Sequence, residues 1–245
     1  MKRYFIELSY NGKNFFGWQR QPGQISVQEE IETALSKLYS NKEISVVGCG
    51  RTDSGVHAKS YFLHVDLPDH DALKDLNQFI FKLNKMLPES IVLHELFETE
   101  KHARFDAIKR TYRYFVHFKK DPFISEQSWY FPQQLDVKRM NDAAQWLIGT
   151  KDFTSLSKLH TDVKTNICTV SDAEWKQESE NEWYFEISAD RFLRNMVRAT
   201  VGTIIDVGLN KIKPTDLTAI LDAKNRGAAS TSVPAHGLFL WKIEY

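Results

Sequence analysis

The apolar pattern of this chain changes period along its length, and the order of those changes limits the folds open to it. Residues 4 to 9 alternate, with Tyr4, Ile6 and Leu8 on one side, as in a half-buried strand. Ser26-Val27-Gln28-Glu29 is a capping box, opening a helix whose apolar face is Val27, Ile31, Leu35 and Leu38. Strands are expected over residues 44 to 47 and 60 to 67. Leu73, Leu76, Ile80, Leu83 and Leu87 give a second helix face, stopped by Pro88, and residues 91 to 97 read as a strand.

The rest of the chain returns to the same theme. Tyr112, Tyr114, Val116 and Phe118 alternate on one side of a strand over 111 to 118. Asp136 caps a helix carrying Val137, Met140, Ala144 and Leu147, with Gly149 at its end. Residues 168 to 176 and 183 to 189 read as paired strands. A long helix is expected from about 191 to 206, with Gly208 just past it. Pro214 starts another through Leu217 and Leu221, with Gly227 beyond, and 238 to 245 alternate as a closing strand. The order is β-α-β-β-α-β, then β-α-β-β-α-α-β. This predicts an α+β protein of two similar sandwich halves, with a mainly antiparallel sheet and helices on one side. The boundary is expected between 98 and 106, giving an N-terminal domain over 1–105 and a C-terminal domain over 106–245.

Composition narrows the classes of function. No run approaches the roughly 18 apolar residues of a membrane helix, and Glu7 interrupts the first apolar run too early for a signal peptide. The expected compartment is the cytoplasm. The two cysteines, Cys49 and Cys168, form no Cys-x-x-Cys pair and read as free thiols, so a zinc site is not expected. The 32 basic and 32 acidic side chains cancel, yet the charge is uneven. Residues 101 to 120 hold Lys101, Arg104, Lys109, Arg110, Arg113, Lys119 and Lys120 against Asp106 alone. Arg191, Arg194 and Arg198 are spaced to share one face of the expected helix. Local basic stripes on a neutral protein suit an anionic partner met at one face.

The segment Gly48-Cys49-Gly50-Arg51-Thr52-Asp53-Ser54-Gly55-Val56-His57-Ala58 joins two expected strands. Glycines serve a tight turn, but a turn does not require Arg51, Thr52, Asp53 and His57. One reading is a hairpin loop in which Arg51 and Asp53 merely pair. The other is a displayed carboxylate, kept ionised by guanidinium groups and available as a nucleophile. A phosphate loop is the weaker reading, because the glycine spacing does not match one.

Gly50 to Ala58 resembles the signature of the tRNA pseudouridine synthase A (TruA) family, with Ser54 where the family usually has Ala. Tyr10-Asn11-Gly12 to Phe16-Gly17-Trp18-Gln19-Arg20-Gln21 is similar to its opening motif. Lys109 to Tyr114 resembles the second. Phe192 to Arg198 with Val201-Gly202 resembles the third, and Pro234 to Leu240 the last. The resemblance implies ferredoxin/RRM-like halves with a central active-site cleft. It implies an isomerase making pseudouridine at positions 38, 39 and 40 of the tRNA anticodon arm, as a homodimer, with no cofactor or metal. Asp53 is then the nucleophile, Tyr112 the active-site tyrosine and Arg198 the partner of the Asp. Arg51, Thr52, His57 and Leu240 are expected at the substrate. Arg20, Arg110, Arg113, Arg191 and Arg194 are the expected RNA contacts, with Lys119 and Lys120 weaker candidates. For His57 a role bracing the backbone suits better than acid–base catalysis. The alternative is a non-catalytic tRNA-binding protein on the same scaffold. A glycosidase-like hydrolase built on Asp53 lacks a motif-borne acid partner.

Overall fold

The structure, a computed structural model, describes residues 1 to 158 and 163 to 245. In chain order it contains β1 (Lys2–Tyr10), α1 (Val27–Leu38), β2 (Val46–Gly48), β3 (His57–Leu67), α2 (Leu76–Asn84) and β4 (Ile91–Glu98). Then follow β5 (Lys109–His117), β6 (Trp129–Tyr130), α3 (Val137–Ala144), β7 (Gly149–Asp152), β8 (Ile167–Ser179) and β9 (Glu182–Ala189). The last elements are α4 (Met196–Gly208), α5 (Asp216–Asp222) and β10 (Leu238–Glu244). The chain divides into two compact units, Met1–Ile108 with Leu240–Tyr245, and Lys109–Phe239. Strands paired mainly antiparallel, with helices between them, make this an α+β protein.

In the first unit the strands run β4-β1-β3, with β2 and β10 also bonded to β3. With two helices as crossovers, this is the split arrangement of ferredoxin-like folds. The alternation in β1 puts Tyr4, Ile6, Leu8 and Tyr10 in the core, opposite Val65, Leu63, Tyr61 and Ala58 of β3 respectively. Ser26 caps α1 by accepting from the Glu29 N–H. Its buried face is Val27, Ile31, Ala34 and Leu35, with Leu38 at the half-buried margin.

In the second unit the order is β5-β9-β8-β7, with β6 parallel to the end of β5. Tyr114 pairs with Phe185 and Tyr112 with Ile187 across β5 and β9. Met140, Ala143 and Ala144 of α3 and most of α4 fill the core with Trp175, Phe185 and Ile187.

Several expected boundaries move, each for a local reason. The expected helix over 191 to 206 begins only at Met196, and Gly208 is its last residue. Asn195 stands in the left-handed region at φ +64, which a right-handed helix cannot include. Before it, the Asp190 carboxylate accepts from the N–H groups of Thr169 and Arg191, tying the segment back to β8. Arg191 and Arg194 are therefore not helical, and the common face with Arg198 does not form. The helix expected around Leu73 to Leu87 is also shorter. A 3-10 turn covers Asp71–Lys74, then Asp75 caps α2 by accepting from the Gln78 N–H at 3.0 Å. Leu73 falls outside the α-helix, and Phe79 takes a core position. Gly149, expected as a helix end, opens β7 at φ +101, after a 3-10 turn over Gln145–Leu147. β6 and β7 have no counterpart in the expected order. β3 starts at His57, three residues early, so the motif's last residues belong to a strand.

Candidate active site

The loop between β2 and β3 is held by the segment that follows β1. The Tyr10 hydroxyl and Thr52 Oγ1 share a buried bond of 2.8 Å. The Trp18 N–H donates to the Thr52 carbonyl at 3.4 Å. The Tyr61 hydroxyl donates to the Gly50 carbonyl at 2.5 Å. Ser54 Oγ and the Gly55 N–H both donate to the Phe15 carbonyl, at 3.3 and 3.2 Å. The Val56 N–H donates to the Asp53 carbonyl at 3.1 Å, closing a tight turn with Gly55 at φ +78. Beneath the loop Trp18 stacks on Tyr61, ring centroids 4.1 Å apart.

Two glycines of the opening motif permit this approach. A Cβ on Gly12 would lie 2.0 Å from the Val56 carbonyl oxygen, and one on Gly17 2.4 Å from that of Thr52. Gly17 also stands at φ +89, a conformation natural only to glycine. The cradle leaves Thr52 buried, Asp53 half-buried, and Arg51 and Ser54 exposed. His57 is buried, and its Nδ1 accepts from the Gly12 N–H at 3.1 Å. It braces the backbone. The backbone of the turn that carries the Asp53 carboxylate is thus held on both sides.

The second motif-bearing assembly lies in the other unit. Tyr112 is half-buried on β5, and its ring meets Phe192 edge-on at 5.0 Å. Arg198, in the first turns of α4, donates from Nε to the Val233 carbonyl at 2.8 Å, and the Val233 N–H returns to the Arg198 carbonyl at 3.2 Å. Asn195 Nδ2 donates to Ser232 Oγ at 2.7 Å, and Arg226 to the same oxygen at 3.0 Å. A Cβ on Gly202 would stand 2.0 Å from the Thr231 carbonyl oxygen. The irregular segment before Pro234 thus lies directly on α4. Tyr114 donates to the Pro234 carbonyl at 2.9 Å. Burial pushes its phenol far above the usual range, an effect the Arg198 charge opposes.

Leu240 is buried in β10. Arg20 is exposed and pairs with Glu29 and Glu32 at 3.5 and 3.7 Å. Arg110 donates to the Asp190 carbonyl at 2.7 Å. Arg113 pairs with Glu186 at 2.7 Å and stacks over Tyr184 at 4.4 Å. Arg191 is half-buried; Arg194, Lys119 and Lys120 are exposed. Both cysteines are buried and stand outside any disulfide, and burial pushes Cys168 up to about 12. Among the described residues no group of three His, Cys, Asp or Glu could hold a metal ion, and no helix is long and apolar enough to cross a membrane. Sequence reading missed the supporting contacts made by Tyr10, Tyr61, Phe192 and Val233. Their signal was present only in part, since Tyr10 and Phe192 begin motifs whereas Tyr61 and Val233 look like ordinary core residues.

Comparison with known proteins first gives the class. A family described as tRNA pseudouridine synthase matches residues 143–245. Over full length the chain is 49% identical to the tRNA pseudouridine synthase A of Parabacteroides distasonis, covering 100% of this chain and 96% of that protein. It is 46% identical to that of Bacteroides fragilis, over 100% and 97% of the two chains. With that of Bacillus subtilis it shares 40%, over 97% of each. The chain belongs to the tRNA pseudouridine synthase A family.

Proposed function

We propose that this chain converts uridine to pseudouridine in tRNA, at positions 38, 39 and 40 of the anticodon stem-loop, as a cytoplasmic homodimer. The observation that carries the activity is full-length similarity, at 40 to 49% identity, to proteins named tRNA pseudouridine synthase A. Asp53 is the nucleophile, Tyr112 the active-site tyrosine and Arg198 the partner of the carboxylate.

The chemistry suits these residue types. The N1–C1′ bond of uridine breaks, the base turns, C5 joins C1′, and the proton on C5 is exchanged for one on N1. Atoms and electrons balance within the nucleoside. A carboxylate at C1′ and C6 assists departure of the base, and nucleophilic assistance divides one hard step into easier ones. A guanidinium beside a carboxylate favours its ionised form and aims it through a two-pronged contact. Tyr112 offers a ring for the freed base and a phenol that moves the proton.

The target base is stacked in folded RNA, so it is extruded at a cost of about a few kcal/mol. Phosphate contacts from Arg20, Arg51, Arg110, Arg113, Arg191 and Arg194 offset that cost. Thr52, His57 and Leu240 shape the substrate pocket from buried positions. The test is Asp53→Asn with unmodified tRNA. Isomerisation falls below detection while the tRNA Kd changes less than about threefold. Product formed at the normal rate would sink the reading and favour the non-catalytic binder.

A further inference from the structure

The segment 99 to 108 presents an aromatic ring that the fold leaves in solvent. Phe105 is 75% exposed. The backbone that carries it is nonetheless fixed. The His102 N–H donates to the Asp106 carboxylate at 2.7 Å, and the Asp106 N–H returns to the His102 carbonyl at 3.1 Å. The N–H groups of Arg104 and Phe105 both donate to His102 Nδ1, at 3.1 and 3.2 Å. Ala103 is fully buried, donates to His64 Nδ1 at 3.0 Å and accepts from the Tyr245 hydroxyl at 2.7 Å.

The rings continue this scaffold outward. His64 is buried and packs edge-on to His102 at 4.5 Å. His102 lies nearly flat on Phe105, with centroids 4.3 Å apart and planes at 28°. The Arg104 guanidinium carbon stands 5.8 Å from the Phe105 centroid, and Lys101 is exposed on the same segment. The local acids are Glu100, which is exposed, and Asp106, whose carboxylate accepts the His102 N–H.

We propose that Phe105, backed by His102 and flanked by Arg104 and Lys101, is a stacking platform for an unpaired base of the bound RNA. The inference rests on the reading that tRNA is the substrate. Every base has a π-face, so such a platform is tolerant of sequence and acts together with cations that follow the phosphates. A ring already held in place loses little freedom on binding, so more of the stacking energy appears as affinity. The basic flank suits a polyanion.

The test compares Phe105→Ala, Phe105→Leu and Phe105→Trp for binding of unmodified tRNA at fixed salt. Stacking by one base predicts that Ala and Leu each raise Kd about tenfold while Trp stays within about twofold of the parent. Arg104→Gln should reduce the slope of log Kd against log salt by about one. Melting temperatures should match the parent, because the Phe105 side chain faces solvent. Parental affinity in Phe105→Ala or Phe105→Leu overturns the platform. So does a shift of Phe105→Ala to a smaller sedimenting species with unchanged tRNA affinity, which would assign the ring to a protein contact. Pseudouridine formation by the parent is assayed in the same preparations. Ring-dependent binding without product would sink the isomerase reading alone, and product with ring-independent binding would sink the platform alone.

Discussion

Arg198 and Val233 hold each other twice. The arginine Nε donates to the Val233 carbonyl at 2.8 Å, and the Val233 N–H donates to the Arg198 carbonyl at 3.2 Å. One edge of the guanidinium is thereby fixed by backbone. Lysine has no Nε, and its ammonium is a point charge on a flexible stem. Arg198→Lys should fold, with a melting temperature within a few degrees of the parent, and lose about 100-fold or more in single-turnover pseudouridine formation. A near-parental rate would remove Arg198 from the reaction.

The bond between Tyr10 and Thr52 is buried and joins the first strand to the loop of Asp53. Tyr10→Phe leaves Thr52 Oγ1 without that partner, at a cost of about 1–3 kcal/mol. Thr52→Val should cost a similar amount. In the double variant the second loss should largely vanish, because the two changes remove one bond. Urea midpoints measure this, and full additivity would deny the coupling.

His64 should make stability pH-dependent. Burial first, and then the Arg3 and His102 charges, hold its pKa down to about 4 from an ordinary 6.5. Between these values the unfolded chain binds a proton that the folded chain does not. Stability is therefore fully present above pH 6.5 and declines as pH falls towards 4. At 1.36 kcal/mol per pKa unit the effect is on the order of 3 kcal/mol. Burial lowers His117 and His236 in the same direction. Protonating His64 would also turn the acceptor of the Ala103 N–H into a donor. His64→Gln, which cannot titrate, should flatten the dependence of the urea midpoint between pH 6.5 and 4.5. An unchanged profile would exclude His64 as its source.

Gly202→Ala drives a methyl group to 2.0 Å from the Thr231 carbonyl oxygen. A backbone oxygen cannot rotate away, so α4 and the segment before Pro234 must part. The expected loss is about 2–3 kcal/mol in chemical denaturation, at the upper end of overpacking costs. A loss below about 0.5 kcal/mol would show that this contact yields freely.

In the proposed function Arg110 bears on RNA affinity rather than on chemistry. One of its nitrogens is engaged by the Asp190 carbonyl at 2.7 Å, which steadies the side chain. Arg110→Gln should weaken tRNA binding at low salt and reduce the salt slope by about one. An unchanged slope would remove Arg110 from the RNA path.

The elements were legible where local rules agreed with burial. Ser26 and Asp136 cap α1 and α3 as their side chains suggest, and the alternation of β1 and β5 gives their buried faces. Reading failed where a contact distant in sequence overrode a helical pattern. Arg191 to Asn195 has helical spacing, but the Asp190 carboxylate and the positive φ of Asn195 hold it outside α4. β6 and β7, of two and four residues, are too short to leave a periodic signal. Among the candidate functional residues, Asp53, Tyr112 and Arg198 stood out because they occur within motifs. Phe105 did not, since an exposed ring and a buried one are the same letter.

The sequence by itself determined the alternation of strands and helices, the caps, and which carboxylate stands in a glycine turn. These follow from interactions within a few residues. Only the tertiary structure decided that residues 10 to 18 cradle that turn, that Val233 fixes Arg198, and that His57 spends its Nδ1 on Gly12. Those outcomes depend on which backbone groups the packed chain leaves wanting a partner, and a local pattern carries no record of a partner forty residues away.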